Sequence, residues 1–211
     1  LELTGGITTA EAITLNGTGV ASGGALRNLS GVTVLGGAIT LASDTRINSD
    51  ADQLQLSGGI TGTDTDLTVG GTGVTLVDSD IATGAGSLTV DATGATGVLA
   101  LSGTNSFTGG TTVNSGFLQL NAGTALADAG ALAVNAPGTV QVFAGETVGA
   151  LSGDGSIVLQ TSDALVAGDT DFRIAHDWRD FERMAPSLPL ALVASEDQNF
   201  GNHHGFDFSA I

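Results

Sequence analysis

Pairs of aliphatic residues separated by one polar or small residue recur along most of this chain. They occupy residues 13–15, 32–34, 39–41, 54–56, 67–69, 74–76, 88–90, 99–101, 118–120, 132–134, 140–142 and 157–159, and each is closed by Gly, Asn, Asp or Ser. Alternation at period two, in short runs bounded by turn formers, predicts β-strands. No segment before residue 160 carries a helical period; the Ala-rich stretch 124–132 comes nearest and is interrupted by Gly130. Residues 99–120 read LALSGTNSFTGGTTVNSGFLQL, a strand, a polar turn, a strand and a further turn. That is the pattern of one coil of a β-solenoid. On roughly 20 to 25 residues per coil, residues 1–160 make about seven coils.

One duplication is explicit. Leu3-Thr-Gly-Gly-Ile7 matches Leu56-Ser-Gly-Gly-Ile60 at an offset of 53, and residues 13–20 match residues 67–74 at an offset of 54. An offset of that size holds two or three coils. A single coil cannot bury its inward face, so stacking must bury Leu, Val and Ile in ladders while alternate Thr and Ser face solvent. Gly and Asn are expected in the turns, where the chain needs left-handed backbone conformations.

Composition fits this reading. The 211 residues include 33 Gly and only 4% aromatics, yet 41% are hydrophobic, so the apolar content is mostly Ala, Val, Leu and Ile. Small aliphatics suit a narrow stacked core. The apolar content and its alternation exclude a disordered chain. There is no Cys and no Lys, and the net charge is −17. Such a chain repels nucleic acid and anionic membranes, so no nucleic-acid partner is expected. No stretch is long and apolar enough to span a bilayer as a helix, so no direct membrane insertion of this segment is expected. The sequence opens inside a predicted strand, without an initiator Met or a leader, and reads as a piece of something longer.

The chain divides into two parts. Residues 1–160 are repetitive. Residues 161–211 hold all three His, the single Trp and Met, three of the five Arg and five of the eight Phe. Repetition stops there, and this part is expected to be a C-terminal cap or a small β module.

The stretch Leu101-Ser-Gly-Thr-Asn-Ser-Phe-Thr-Gly-Gly-Thr-Thr-Val-Asn-Ser-Gly-Phe-Leu118 resembles the autotransporter-associated β-strand repeat. That pattern runs Leu-Ser/Thr-Gly-x-Asn-x-aromatic-x-Gly-x-Thr-x-Val/Ile-x-x-Gly-x-Leu. Residues 146–159 are similar to the coil that often follows it. The resemblance is to passenger domains of autotransporters and filamentous haemagglutinin-like adhesins. It implies an all-β, right-handed parallel β-helix, secreted to the outer-membrane surface of a Gram-negative bacterium. It implies a role in adhesion or in matrix and biofilm structure, with host or bacterial surface glycans or matrix proteins as partners, and self-association as a further expectation. In the tail, His176-Asp-Trp178, Phe181, the Pro189-led apolar run and Asn199-Phe-Gly201 resemble H-type lectin-like β-sandwich modules.

The candidate chemistry is sparse. Trp178, Phe181 and Phe200, with His176, are a candidate sugar-binding set; the same aromatics serve equally as a hydrophobic cap on the last coil. Asp64, Asp66, Asp78 and Asp80 lie in predicted turns and are candidate calcium ligands, since hard oxygen donors on loops suit that ion. Asp also favours turns for its own sake and keeps a solenoid soluble. No EF-hand or nonapeptide calcium repeat accompanies them. His203, His204, His176 and Asp207 are a weaker metal set, because adjacent residues on a strand point to opposite faces. A polysaccharide-degrading β-helix would line a groove with acids, cations and aromatics. Residues 1–160 offer only Arg27 and Arg46 as cations and no Trp or Tyr, and no Gly-x-Ser-x-Gly elbow is present, so the chain is not expected to be an enzyme. The expected function is that of an adhesin or structural solenoid. The alternatives are a carbohydrate-binding module in the tail and a β-helix polysaccharide-degrading enzyme. No cofactor is expected apart from calcium.

Overall fold

The computed structural model describes residues 1–160 apart from residue 95, together with the backbone of Leu165–Ala167. Among these residues the protein is an all-β solenoid of parallel strands, with a single 3-10 turn at Val20–Ser22. The tail residues His176, Trp178, Phe181, Phe200, His203, His204 and Asp207 lie outside the described residues. So does most of the proposed C-terminal module.

Two long parallel sheets run the length of the stack. The first joins Glu2–Leu3, Leu26–Asn28, the second half of Ile39–Ser49, Leu67–Gly71, Leu88–Ala92, Thr111–Ser115, Ala131–Val134 and Ala150–Ser152. The second joins Thr8–Thr9, Thr33–Leu35, Gln53–Leu56, Val74–Val77, Val98–Leu101, Phe117–Leu120, Thr139–Val142 and Ser156–Leu159. A third, shorter face is built from Ile13–Gly17, the first half of Ile39–Ser49, Ile60–Gly62 and Ile81–Ala82, with Ile13, Ile39, Ile60 and Ile81 in register. Each coil therefore has three sides, and Ile39–Ser49 bends around one corner to serve two of them.

Coil length varies. Register differences along the first sheet run from 25 residues (2 to 27) through 21, 22, 21, 23 and 21 to 19 (131 to 150). The corners absorb the variation. Two register shifts interrupt the first sheet and its corner, at Leu15/Gly17 and at Val90/Asp91, whereas the second sheet has none.

Alternation sets the core, but two runs are inverted: in residues 32–34 and 74–76 the aliphatic pair faces outward and Thr33 and Thr75 point in, because Leu35 and Val77 hold the inward parity of those strands. Leu26, Ile47, Leu54, Leu56, Leu99, Leu101, Leu118 and Leu120 point inward and are sealed. Phe107, 2% exposed, is the one aromatic side chain among the buried core residues described. Each buried aliphatic side chain contributes about 1.5–3 kcal/mol of burial.

The duplication falls within the two or three coils expected, and one expectation about the polar positions needs correction. The duplicated segments do not occupy equivalent positions: Leu3 lies in the first sheet, whereas Leu56 lies in the second, and Ile13 lies on the third face, whereas Leu67 lies in the first sheet. The offset of 53–54 residues corresponds to two coils plus one side. All three sides use the same strand-turn pattern, so sequence similarity does not identify a side. Nor do all Thr and Ser face solvent: Thr33, Thr45, Ser49, Thr65, Thr75, Thr83 and Thr111 are buried. They occupy inward positions or corners where the narrow core accepts a small polar side chain.

Candidate functional site

The third face changes chemistry after Ile81. The next coil places Asn105 where an Ile would continue the ladder. The Ile81 N–H donates to Asn105 Oδ1 at 2.7 Å, and Asn105 Nδ2 donates to the Ala125 carbonyl at 2.7 Å. The Asn105 backbone N–H donates to the Thr124 carbonyl at 3.1 Å, and that of Ser106 to Ile81 O at 3.0 Å. Asn105 is 5% exposed, so its amide ties three successive coils together in a dry environment. Two residues on, Phe107 fills the interior. Gly116 closes the turn into the next strand at φ +74, and a Cβ there would meet the Ala92 Cβ at 2.6 Å. Only Gly combines that conformation with that approach.

Residues 93–120 match the family described as the passenger-associated-transport-repeat. The chain is a β-solenoid that carries a passenger-associated transport repeat. That combination fits a passenger-type domain of the autotransporter kind. The transport repeat's Asn and aromatic positions are thus interior fasteners rather than surface ligands.

Curated relatives carry a name of a different kind. The chain is 54% identical over 44 residues to a biosynthetic peptidoglycan transglycosylase of Xanthomonas campestris pv. campestris, which covers 21% of this chain and 18% of that protein. It is 58% identical over 41 residues to the enzyme of the same name from Xylella fastidiosa, covering 19% and 17%. The chain thus spans less than a fifth of the length of these relatives. No solved structure matches the chain.

Beyond the transport repeat the interior column continues to Glu146, which is 1% exposed. The Ala125 N–H donates to Glu146 Oε2 at 3.1 Å, while Oε1 has no hydrogen-bond partner. Burial pushes this carboxyl up to about 7, against the opposing pull of the nearby Leu126, Ala125 and Thr147 backbone N–H groups, and nearby Asp128 adds to the rise. Sequence reading did not single out Glu146 or Asn28. The signal for Glu146 was parity: it stands two residues before buried Val148, on the inward side of its strand. Asn28 is also sealed, and its Nδ2 donates to the carbonyls of Gly31 and Ala51 at 3.0 Å each, pinning another corner.

The four candidate calcium ligands are spread over corners and used as staples. Asp64 Oδ1 accepts from the Ala85 N–H at 2.8 Å, and Asp66 Oδ1 from the Ser87 N–H at 2.8 Å and the Ser87 hydroxyl at 2.9 Å. Asp80 Oδ1 accepts from the Thr104 N–H at 2.8 Å, and Asp78 Oδ2 from Gln55 Nε2 at 2.5 Å. Asp44 likewise receives the Asp66 N–H, and Asp154 the Ala136 N–H. Each acid therefore engages a neighbouring coil. Among the described residues no three His, Cys, Asp or Glu side chains converge as metal ligands.

Both cations of residues 1–160 are paired. Arg27 bonds Asp50 and reaches Glu2 at 3.4 Å. Arg46 donates to Asn48 Oδ1 at 2.9 Å and to Asp91 Oδ2 at 2.8 Å, two coils along the first sheet. Its guanidinium passes over Gly70, where a Cβ would lie 2.2 Å from Nη2. A depression of about 560 Å³ beside the first coil is lined by Leu1, Ile13, Leu15, Val20 and Arg27 among others.

Proposed function

We propose that this chain is part of the passenger of a secreted bacterial surface protein, and that it acts as an adhesive or structural rod rather than an enzyme. The observation that supports this reading is the transport repeat set within an uninterrupted stack of parallel coils. Such a stack offers a long surface with periodic side chains and contacts only between neighbouring coils. Host or bacterial glycans and matrix proteins are the partners, met through many shallow contacts. The rod is displayed on the outer surface of a Gram-negative cell. Fused to a surface anchor, the chain is expected to make cells adhere to glycan- or matrix-coated plates and to be digested by external protease. Protease-sensitive display without adhesion to any coat would leave a structural role and remove the adhesive one.

A second reading concerns residues 161–211. The likeness to peptidoglycan transglycosylases is short enough to fit within this non-repetitive part. On that reading the tail is a segment of a glycan-handling protein, carrying the aromatic set Trp178, Phe181 and Phe200 with His176. Peptidoglycan fragments should then bind the full chain and not residues 1–160. Equal binding by both would reject it.

A further inference from the structure

Outward positions of the second sheet form two registered columns. One runs Thr8, Val34, Gln55, Leu76, Ala100, Gln119, Gln141 and Val158, with the small Ala100 covered by its neighbours. The other runs Gln53, Val74, Val98, Phe117, Thr139 and Ser156. Neither contains a charged residue, although the chain carries 22 acidic residues. The first sheet differs: its outward positions include Glu2, Arg27, Arg46 and Asp91, and the corners carry the Asp staples. At the middle of the second sheet Val74, Leu76, Val98 and Phe117 are partly exposed together, so an apolar patch is bracketed by amides. The Gln119 and Gln141 amides are aligned along the stack, Nε2 to Oε1 at 3.0 Å.

We infer that this face is a docking strip for a single chain of an uncharged polysaccharide, with Phe117 as the ring-stacking platform and Gln119 and Gln141 as hydrogen-bonding groups, while Gln55 is held by Asp78 at the border of the strip. The inference rests on the adhesive reading above and gives it a site. Three observations select the occupant. The strip lacks charge within a strongly acidic chain, so an anionic polymer meets repulsion from the corners and no cation on the strip. Seven interstrand steps give a length of roughly 34 Å, and two columns a width of roughly 7 Å. That footprint of roughly 240 Å² falls far below the ~800 Å² per partner of a stable protein interface. A second copy of this chain is therefore too large a partner for the strip, and a linear polymer fits it. Finally, apolar ring contact flanked by amides matches the alternating faces and hydroxyl edges of neutral sugars.

The test is affinity electrophoresis of the full chain in dextran and in hyaluronan, with cellohexaose titrated by calorimetry. Neutral-glucan binding should fall at least tenfold in Phe117→Ala and in Val98→Glu, and stay unchanged in Thr89→Glu, which lies on the first sheet. Circular dichroism melting of each variant separates lost binding from lost fold. Failure of both neutral probes to bind, equal loss in all three variants, or preference for hyaluronan would overturn the strip. So would a dimer in sedimentation that Val98→Glu dissolves. If cells displaying Val98→Glu adhere as the parent does, the strip fails while the adhesive reading stands; if the parent itself does not adhere, the adhesive reading fails as well.

Discussion

Replacing Glu146 with Gln should make the solenoid more stable at neutral and alkaline pH and leave it nearly unchanged in acid. Burial holds the folded carboxyl at about 7, whereas the exposed group of an unfolded chain titrates near 4.5. The folded state therefore binds the proton more tightly. Stability from this group is fully present below pH 4.5 and is lost as pH rises through about 7. At 1.36 kcal/mol per unit, the difference amounts to about 3 kcal/mol across that window. Gln keeps an oxygen to accept the Ala125 N–H and carries no charge, so it mimics the protonated acid. Hydrogen exchange at the Ala125, Leu126 and Thr147 amides, read at pH 5, 6, 7 and 8 after correction for intrinsic exchange, measures the local opening energy. Parent and variant should differ by less than about 1 kcal/mol at pH 5 and by about 3 kcal/mol in favour of Gln at pH 8. General charge repulsion among the surface acids acts on both proteins and cancels in the comparison. A gap that stays constant from pH 5 to pH 8 would falsify the assignment of a buried, proton-holding carboxyl.

Other substitutions probe the remaining fasteners. Asn105→Ala strips partners from the Ile81 N–H and the Ala125 carbonyl, and at ~1–3 kcal/mol per orphaned group the loss in denaturant unfolding should be about 2–6 kcal/mol. Phe107→Ala empties the interior site of the core's one described aromatic and should cost about 3–5 kcal/mol, while Phe107→Leu recovers most of it. Gly70→Ala pushes Arg46 off Asp91 and should cost about 1 kcal/mol; in an Arg46→Ala background the penalty should shrink, and an undiminished penalty would show that the guanidinium does not cross this residue. Asp80→Ala should lower stability by about 1 kcal/mol through loss of the Thr104 N–H acceptor, whereas Asp80→Asn should be nearly neutral, with melting unchanged between calcium and chelator; a calcium-dependent rise in melting temperature would restore the acid turns as ion ligands.

The strand pattern was legible because its period is intrinsic to the backbone: Leu54 and Leu56 could only face one way and Gln53 and Gln55 the other. What the pattern cannot encode is which side of a coil a strand joins. Leu3 and Leu56 share a motif and sit in different sheets, because a corner of any length returns the chain to an equivalent-looking strand. Polar interior positions were equally opaque. Thr75 and Glu146 obey the same parity as their aliphatic neighbours, and only the stacking environment shows that a hydroxyl or carboxyl is accepted there. The motif around Asn105 and Phe107 was visible as a motif, but its role as an inter-coil tie depends on Ile81 and Ala125, each at least 20 residues away. The turn acids show the reverse case, since local composition pointed to an ion while their described partners are backbone and side-chain donors on adjacent coils.

Unequal coils stacked through parallel strands carry a mechanical consequence. Tension applied along the stack axis acts across the strands, in line with the interstrand hydrogen bonds, so these bonds are loaded a few at a time as a coil peels away. One coil of 19–25 residues then releases roughly 65–85 Å of chain. The neighbouring coils keep their own contacts while it does so. A tether of this design yields in steps, dissipating a pull by lengthening rather than by breaking. Arg46 and Asn105, which each span three coils, mark the places where the force for the next step should rise.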